Sequence, residues 1–182
     1  IDEEIGAITK SKQNDTDVLS FAENATSAFF AKKHHKVIGL AFLIAFFNQL
    51  SGINFILYYA PEILTRMGLD EKDSLLKSIS IGGVNLIFTF VGLYLIDRLG
   101  RKTLMIIGSF GYIISLAMVA YAFKTGASPT FLMTFLLLFI ASHAIGQGAV
   151  IWVFLSEIFP NKIRAMGQSF GASVHWVFAA VI

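Results

Sequence analysis

The sequence predicts an all-α protein, a polytopic bundle of transmembrane helices, on three observations. Of 182 residues 55% are hydrophobic and 14% charged, with a mean hydropathy of +0.70, whereas soluble domains carry about 25% charge. The charges gather in short groups that separate long uncharged runs. Those runs are about 18 to 27 residues long, and about 20 suffice to cross a bilayer as helix. A net charge of only +2 gives no basic surface for nucleic acid. With no cysteine, a disulfide framework, a zinc site and a thiol nucleophile drop out, and the redox compartment stays undetermined.

Residues 1–36 differ in composition from the rest. Ile1–Ile5 and Asp17–Glu23 mix charge with apolar residues at roughly helical spacing, and read as short soluble helices joined by a polar linker. The basic cluster Lys32-Lys33-His34-His35-Lys36 then precedes the first span, as a cytoplasmic juxtamembrane stop does. Span one is Val37–Pro61, closed by the polar loop Arg66–Lys77. Span two, Ser78–Ile96, turns tightly through Asp97–Lys102 into span three, Thr103–Phe123. Span four, Thr130–Ser156, is long enough to require tilt or irregularity. After the turn Glu157–Arg164, the run Ala165–Ile182 makes a truncated fifth span. The chain opens without Met and stops inside an apolar run, so we expect a fragment of a longer protein.

Alternate connections set the orientation. One side collects Lys32, Lys33, Lys36, Arg98, Arg101, Lys102, Lys162 and Arg164; the other has Arg66, Lys72, Lys77 and Lys124. The positive-inside rule makes the first side cytoplasmic.

The polar residues inside the spans carry the chemistry. Span one holds Asn48, Gln49, Ser51 and Asn54 near its middle, where an unpartnered amide is costly. On a regular helix Gln49 and Asn54 diverge by about 140°. A break at Ser51-Gly52 would turn both toward one cavity, as in the discontinuous helices of transporters. Packing glue between helices is the plain alternative for any one of them; three amides, a glycine and Tyr58-Tyr59 together favour a polar substrate site. Asn85 lies at matching depth in span two. Span four carries Ser142, His143, Gly146, Gln147 and Gly148, with Trp152 one turn further on, and the last span adds His175-Trp176. An indole covers the C–H face of a sugar while amides bond its hydroxyls. His143 reads as a neutral packing residue, and no metal site follows from two distant histidines. No nucleophile–base pair, P-loop or dinucleotide motif is present, which argues against an enzyme.

At the basic face, positive-inside anchoring explains the cations but not Asp97 and Glu157. We therefore expect Asp97, Arg98, Arg101, Glu157 and Arg164 to form a charge network that makes and breaks.

These residues resemble the sugar porter family of the major facilitator superfamily. The resemblance is carried by Asn48-Gln49-Leu50-Ser51-Gly52-Ile53-Asn54 with Tyr58-Tyr59, by Asp97-Arg98-Leu99-Gly100-Arg101-Lys102, and by Trp152–Glu157 with Ile158-Phe159-Pro160-Asn161 and Arg164. It implies a fragment of a twelve-helix fold: residues 1–36 as the cytosolic helical linker between two halves, and 37–182 as helices seven to ten and part of eleven. It further implies that Gln49, Asn54, Asn85 and Trp152 contact a sugar, with Asn48, His175 and Trp176 in the site. Tyr58 and Tyr59 fall at the extracellular gate, and the five charged residues at the intracellular network. Asn48 stands where many members carry a second Gln, and His175 where an amide is common. The stretch Gln147–Val150 lacks the prolines of some facilitators, which points to a bacterial inner membrane. The implied function is alternating-access transport of a hexose or pentose, with proton coupling open; the partners are the sugar, the bilayer and the missing N-terminal half. The alternatives are a polyol porter and a non-transporting sugar receptor. No cofactor is implied.

Overall fold

The computed structural model describes Ser20, Glu23, Asn24, residues 26–66 and residues 68–181. Most of the expected soluble segment, 1–36, lies outside the described residues. A 3-10 turn, Lys32–His34, leads into α1 (His35–Leu50) and α2 (Ile53–Arg66). Then come α3 (Glu71–Leu99), α4 (Arg101–Thr125) and α5 (Pro129–His143). A π-helical turn (Ala144–Gly148) joins α5 to α6 (Val150–Ile158), and a 3-10 turn (Asn161–Ile163) precedes α7 (Arg164–Val181). There is no strand among the described residues.

Among the described residues, four helical segments are long and apolar enough to cross a membrane: Lys32–Arg66, Glu71–Leu99, Arg101–Thr125 and Pro129–Ile158. Each encloses one of the uncharged runs read from sequence. The fifth run forms α7, whose Gln168, Ser169, Ser173 and His175 leave it less apolar than the other four. The protein is an integral, multi-pass membrane protein.

Helix ends follow local chemistry. Asp70 Oδ1 accepts the Asp73 N–H at 3.2 Å to start α3, and Ser128 Oγ accepts the Phe131 N–H ahead of α5, with Pro129 in its first turn. Between α3 and α4 stands one residue, Gly100, at φ 80°. Its N–H closes on Ile96 and its carbonyl accepts from Leu104, so one glycine both ends a span and begins the next. A side chain there would be strained.

The segment Pro129–Ile158 is 61% buried over its most apolar window, against 17% for α3 and for α4. The former is the centre of the bundle; the latter two turn apolar side chains such as Leu86, Ile87, Phe90, Ile107 and Ile114 outward, as lipid demands. Among the described residues, three apolar clusters hold the helices. The largest joins α2, α3, α4 and α5 through Ile56, Leu64, Ile81, Ala122, Leu136 and Phe139. A second locks α1 to α6 through Phe29, Ala41, Ile151, Leu155, Phe159 and Ile163. A third, Ile96, Leu104 and Val150, sits beneath the Gly100 turn.

Backbones touch where α4 crosses the π turn. A Cβ on Gly108 would come within 2.5 Å of the Gly146 Cα, so only glycine allows this approach.

Candidate functional site

The site begins where span one breaks. Ser51 Oγ donates to the Asn48 carbonyl at 2.6 Å, and the Gly52 N–H closes on the Gln49 carbonyl at 3.0 Å. Gly52 then adopts φ 77°, and the helix restarts at Ile53. The break turns Asn54 back toward the preceding helix, and Asn54 Nδ2 donates to Gln49 Oε1 at 3.0 Å. An unbroken helix would hold these two side chains about 140° apart.

Gln49 is 1% exposed and uses both ends of its amide. Its Nε2 stands 2.9 Å from Nδ1 and 2.7 Å from Nε2 of His175 on α7, and the unprotonated ring nitrogen accepts. The His175 ring meets the Trp152 indole edge-on at 4.9 Å, and the Trp176 indole at 5.4 Å. Asn54, Gln49, His175, Trp152 and Trp176 therefore form one continuous array drawn from α1, α2, α6 and α7. Its inner end is buried, while Trp152 and Trp176 are 40% and 62% exposed. Such a surface offers amide donors and acceptors beside two indole faces, the recognition chemistry of a polyhydroxylated solute.

Asn48 and Asn85, also expected at the site, stand apart, as does His143, which reads from sequence as a packing residue. Asn48 is buried, yet its Nδ2 has no hydrogen-bond partner among the described residues; it lines a separate cavity of about 190 Å³ with Ser109, Tyr112 and Gln147. There Gln147 Nε2 donates to Ser109 Oγ at 3.1 Å. Asn85 is half-buried on α3; its carbonyl accepts from Thr89 Oγ1, and its side chain makes no hydrogen bond among the described residues. His143 is buried between Tyr112 and Phe139, its Nε2 also without a hydrogen-bond partner among the described residues.

Tyr58 and Tyr59 are exposed on α2, where Tyr59 leaves helical geometry (φ −105°, ψ 16°) two residues before Pro61. Proline lacks the N–H that would have bonded the carbonyl four residues back, which accounts for the kink. A cavity of about 650 Å³ lies beside this kink between α2 and α4, and none of the array lines it.

At the basic face, Arg101 is the hub. Its Nη2 stands 2.9 Å and its Nε 3.1 Å from Glu157 Oε1, and its Nη1 is 3.4 Å from Asp97 Oδ1. Arg101 Nη1 also donates to the Ile96 carbonyl at 3.3 Å. The turn after α3 is thereby tied to the end of α6. Arg98 instead lies 4.5 Å over the Tyr94 ring, and Arg164 makes no ion pair among the described residues.

The motifs did not flag Gln168 and Ser169, which line a cleft with Trp152. Their signal was available: Gln168 precedes His175 by seven residues, two helical turns on one face.

Comparison with known proteins follows the same lines. A D-xylose-proton symporter of Escherichia coli is 38% identical over 141 residues, covering 78% of this chain and 29% of its own length. A glucose facilitated diffusion protein of Zymomonas mobilis is 37% identical over 134 residues, covering 74% and 28%. A crystal structure of a D-xylose-proton symporter superposes with a TM-score of 0.77 at 32% identity, over 92% of this chain and 38% of that one. The chain thus spans about a third of the length of these relatives. A family model described as sugar (and other) transporter matches residues 1–182, and the chain belongs to that family.

Proposed function

We propose that this chain is the sugar-binding part of a secondary transporter that moves a monosaccharide, a hexose or pentose, across a bacterial inner membrane by alternating access. The observation that carries the reading is the array Asn54–Gln49–His175–Trp152, in which two amides and an imidazole are aligned beside an exposed indole. In this reading Gln49 and Asn54 exchange their mutual hydrogen bond for bonds to sugar hydroxyls, and Trp152 and Trp176 take the C–H faces. Asn48 and Asn85, which stand outside the array, add amides for the same solute in this reading. Tyr58 and Tyr59, next to the Pro61 kink, close it on the outer side. Asp97, Arg101 and Glu157 hold the inner side shut, with Arg98 and Arg164 joining when the halves move.

Each ion pair is solvent-facing, and such pairs stabilise by about 0.2–1 kcal/mol. A few of them bias an equilibrium without freezing it, as a carrier requires. Relatives named as a proton symporter and as a facilitated-diffusion protein stand at nearly equal identity, so similarity favours neither form of coupling. The Pro-free stretch Gln147–Val150 supports the bacterial assignment.

The test uses the full-length protein in proteoliposomes, following labelled xylose, glucose and galactose with and without an inward proton gradient. Uptake of one of them is expected. Accumulation above equilibrium assigns symport, and equilibration alone assigns facilitated diffusion. Binding without uptake would overturn transport and leave a sugar receptor.

A further inference from the structure

We propose that the cleft between α6 and α7 is a second subsite for sugar hydroxyls, on the basic-face side of the Gln49–His175 array. The inference rests on the sugar-transporter reading above. The cleft holds about 290 Å³ and is lined by Trp152, Leu155, Gln168, Ser169 and Ala172. Trp152 belongs to both places, since its ring contacts His175 and also walls this cleft. Along α7, Gln168, Ala172 and His175 are spaced four and three residues apart, so they share one face. That face leads from the array toward Arg164, at the end of the helix where the basic residues gather.

The chemistry of the array is repeated on a smaller scale. Gln168 offers an amide with donors and an acceptor, Ser169 offers a hydroxyl that does both, and Trp152 offers an aromatic wall. Both polar side chains are exposed and, among the described residues, make no hydrogen bond, so they are available to a solute. Leu155 and Ala172 supply an apolar floor, and the Leu155 side chain lies against Gly171, which fixes the two helices at this point. No charged side chain lines the cleft, so a neutral polyhydroxylated solute suits it better than an anion or a cation. A sugar leaving the array toward the basic face slides along the same indole and meets new hydrogen-bond partners before reaching water.

The open cleft has fewer polar groups than the array, so its binding is weaker. Losing one or two hydroxyl contacts changes affinity about fivefold to thirtyfold. Equilibrium dialysis of the full-length protein with radiolabelled D-xylose and D-glucose reads the stoichiometry directly. Two sugars per protein are expected at saturation, the second bound at least about tenfold more weakly. Gln168→Leu combined with Ser169→Ala should remove the weak event and leave the tight one. Gln49→Ala should do the reverse. A wild-type stoichiometry of one, or a weak event untouched in the folded double variant, overturns the subsite and leaves the transporter reading standing. An absence of any sugar binding overturns both.

Discussion

Gln49 shows how much one side chain carries. It is buried, accepts from Asn54, donates to His175, and so ties the broken span to a helix 126 residues further along. Replacing it with alanine removes its hydrogen bonds to half-buried Asn54 and His175, each worth about 0.5–1.5 kcal/mol, and takes its amide away from the solute. Gln49→Ala is therefore expected to weaken sugar binding about tenfold or more, measured by isothermal titration of the full-length protein. Gln49→Glu keeps the acceptor for Asn54 but offers no amide hydrogen to His175, so it should retain only part of the affinity. Equal affinities for the wild type and Gln49→Ala would remove Gln49 from the site.

Elements decide how these side chains are presented. Gly108 on α4 and Gly146 in the π turn let two backbones meet. Gly146→Leu would force them apart, with an overpacking cost of about 1–3 kcal/mol or more. Its thermal unfolding midpoint in detergent should fall by several degrees, and an unchanged midpoint would contradict the close packing. Arg101 works at the same scale, because it joins the α3–α4 turn to the end of α6. Arg101→Ala severs both ion pairs and, if the proposed carrier function holds, should move the full-length protein toward the state open at the basic face. Alkylation of a cysteine placed at Ser169 would then accelerate about twofold to fivefold, in keeping with weak, exposed pairs. No change in rate would mean that the pairs do not hold that face.

Sequence reached these elements unevenly, for physical reasons. Spans were legible because charge is excluded from hydrocarbon, so Lys77, Asp97, Lys102 and Lys124 punctuate the chain. The break at Ser51-Gly52 was legible because glycine tolerates the left-handed φ that a helix interior never uses. The pairing of Gln49 with His175 was not, since it depends on which helix lies beside which, and local pattern carries no such information. Arg98 illustrates the same limit: its charge pointed to acids across the turn, yet Tyr94, one turn away on its own helix, holds it.

Among the described residues, large apolar side chains lie exposed along the spans. They include Phe47, Ile79, Phe90, Phe110 and Trp176, a pattern that only a bilayer or further helices could cover. The orientation read from the basic turns makes a direct prediction. Since this chain has no cysteine, single substitutions in a cysteine-free full-length background report cleanly. In intact cells, Lys124→Cys should react with a membrane-impermeant maleimide, and Lys102→Cys should react only after permeabilisation. The opposite pattern would invert the topology.

The π turn at Ala144–Gly148 sets the phase of everything after it. Its wider winding, closed by the Ala149 N–H on the Ala144 carbonyl, absorbs one residue more than an α-helical turn does. One residue is worth about 100° of rotation on an α-helix. Winding these same residues as one continuous α-helix would therefore swing the Trp152 indole, and the rest of α6 with it, off its present direction by about that angle. The surplus residue acts as an offset between two sections of one rod, aiming Gln147 at α4 and Trp152 at α7. Deleting one residue within this turn would yield a straighter and better hydrogen-bonded helix whose indole keeps its direction, whereas forcing every residue into α-helix would turn it away.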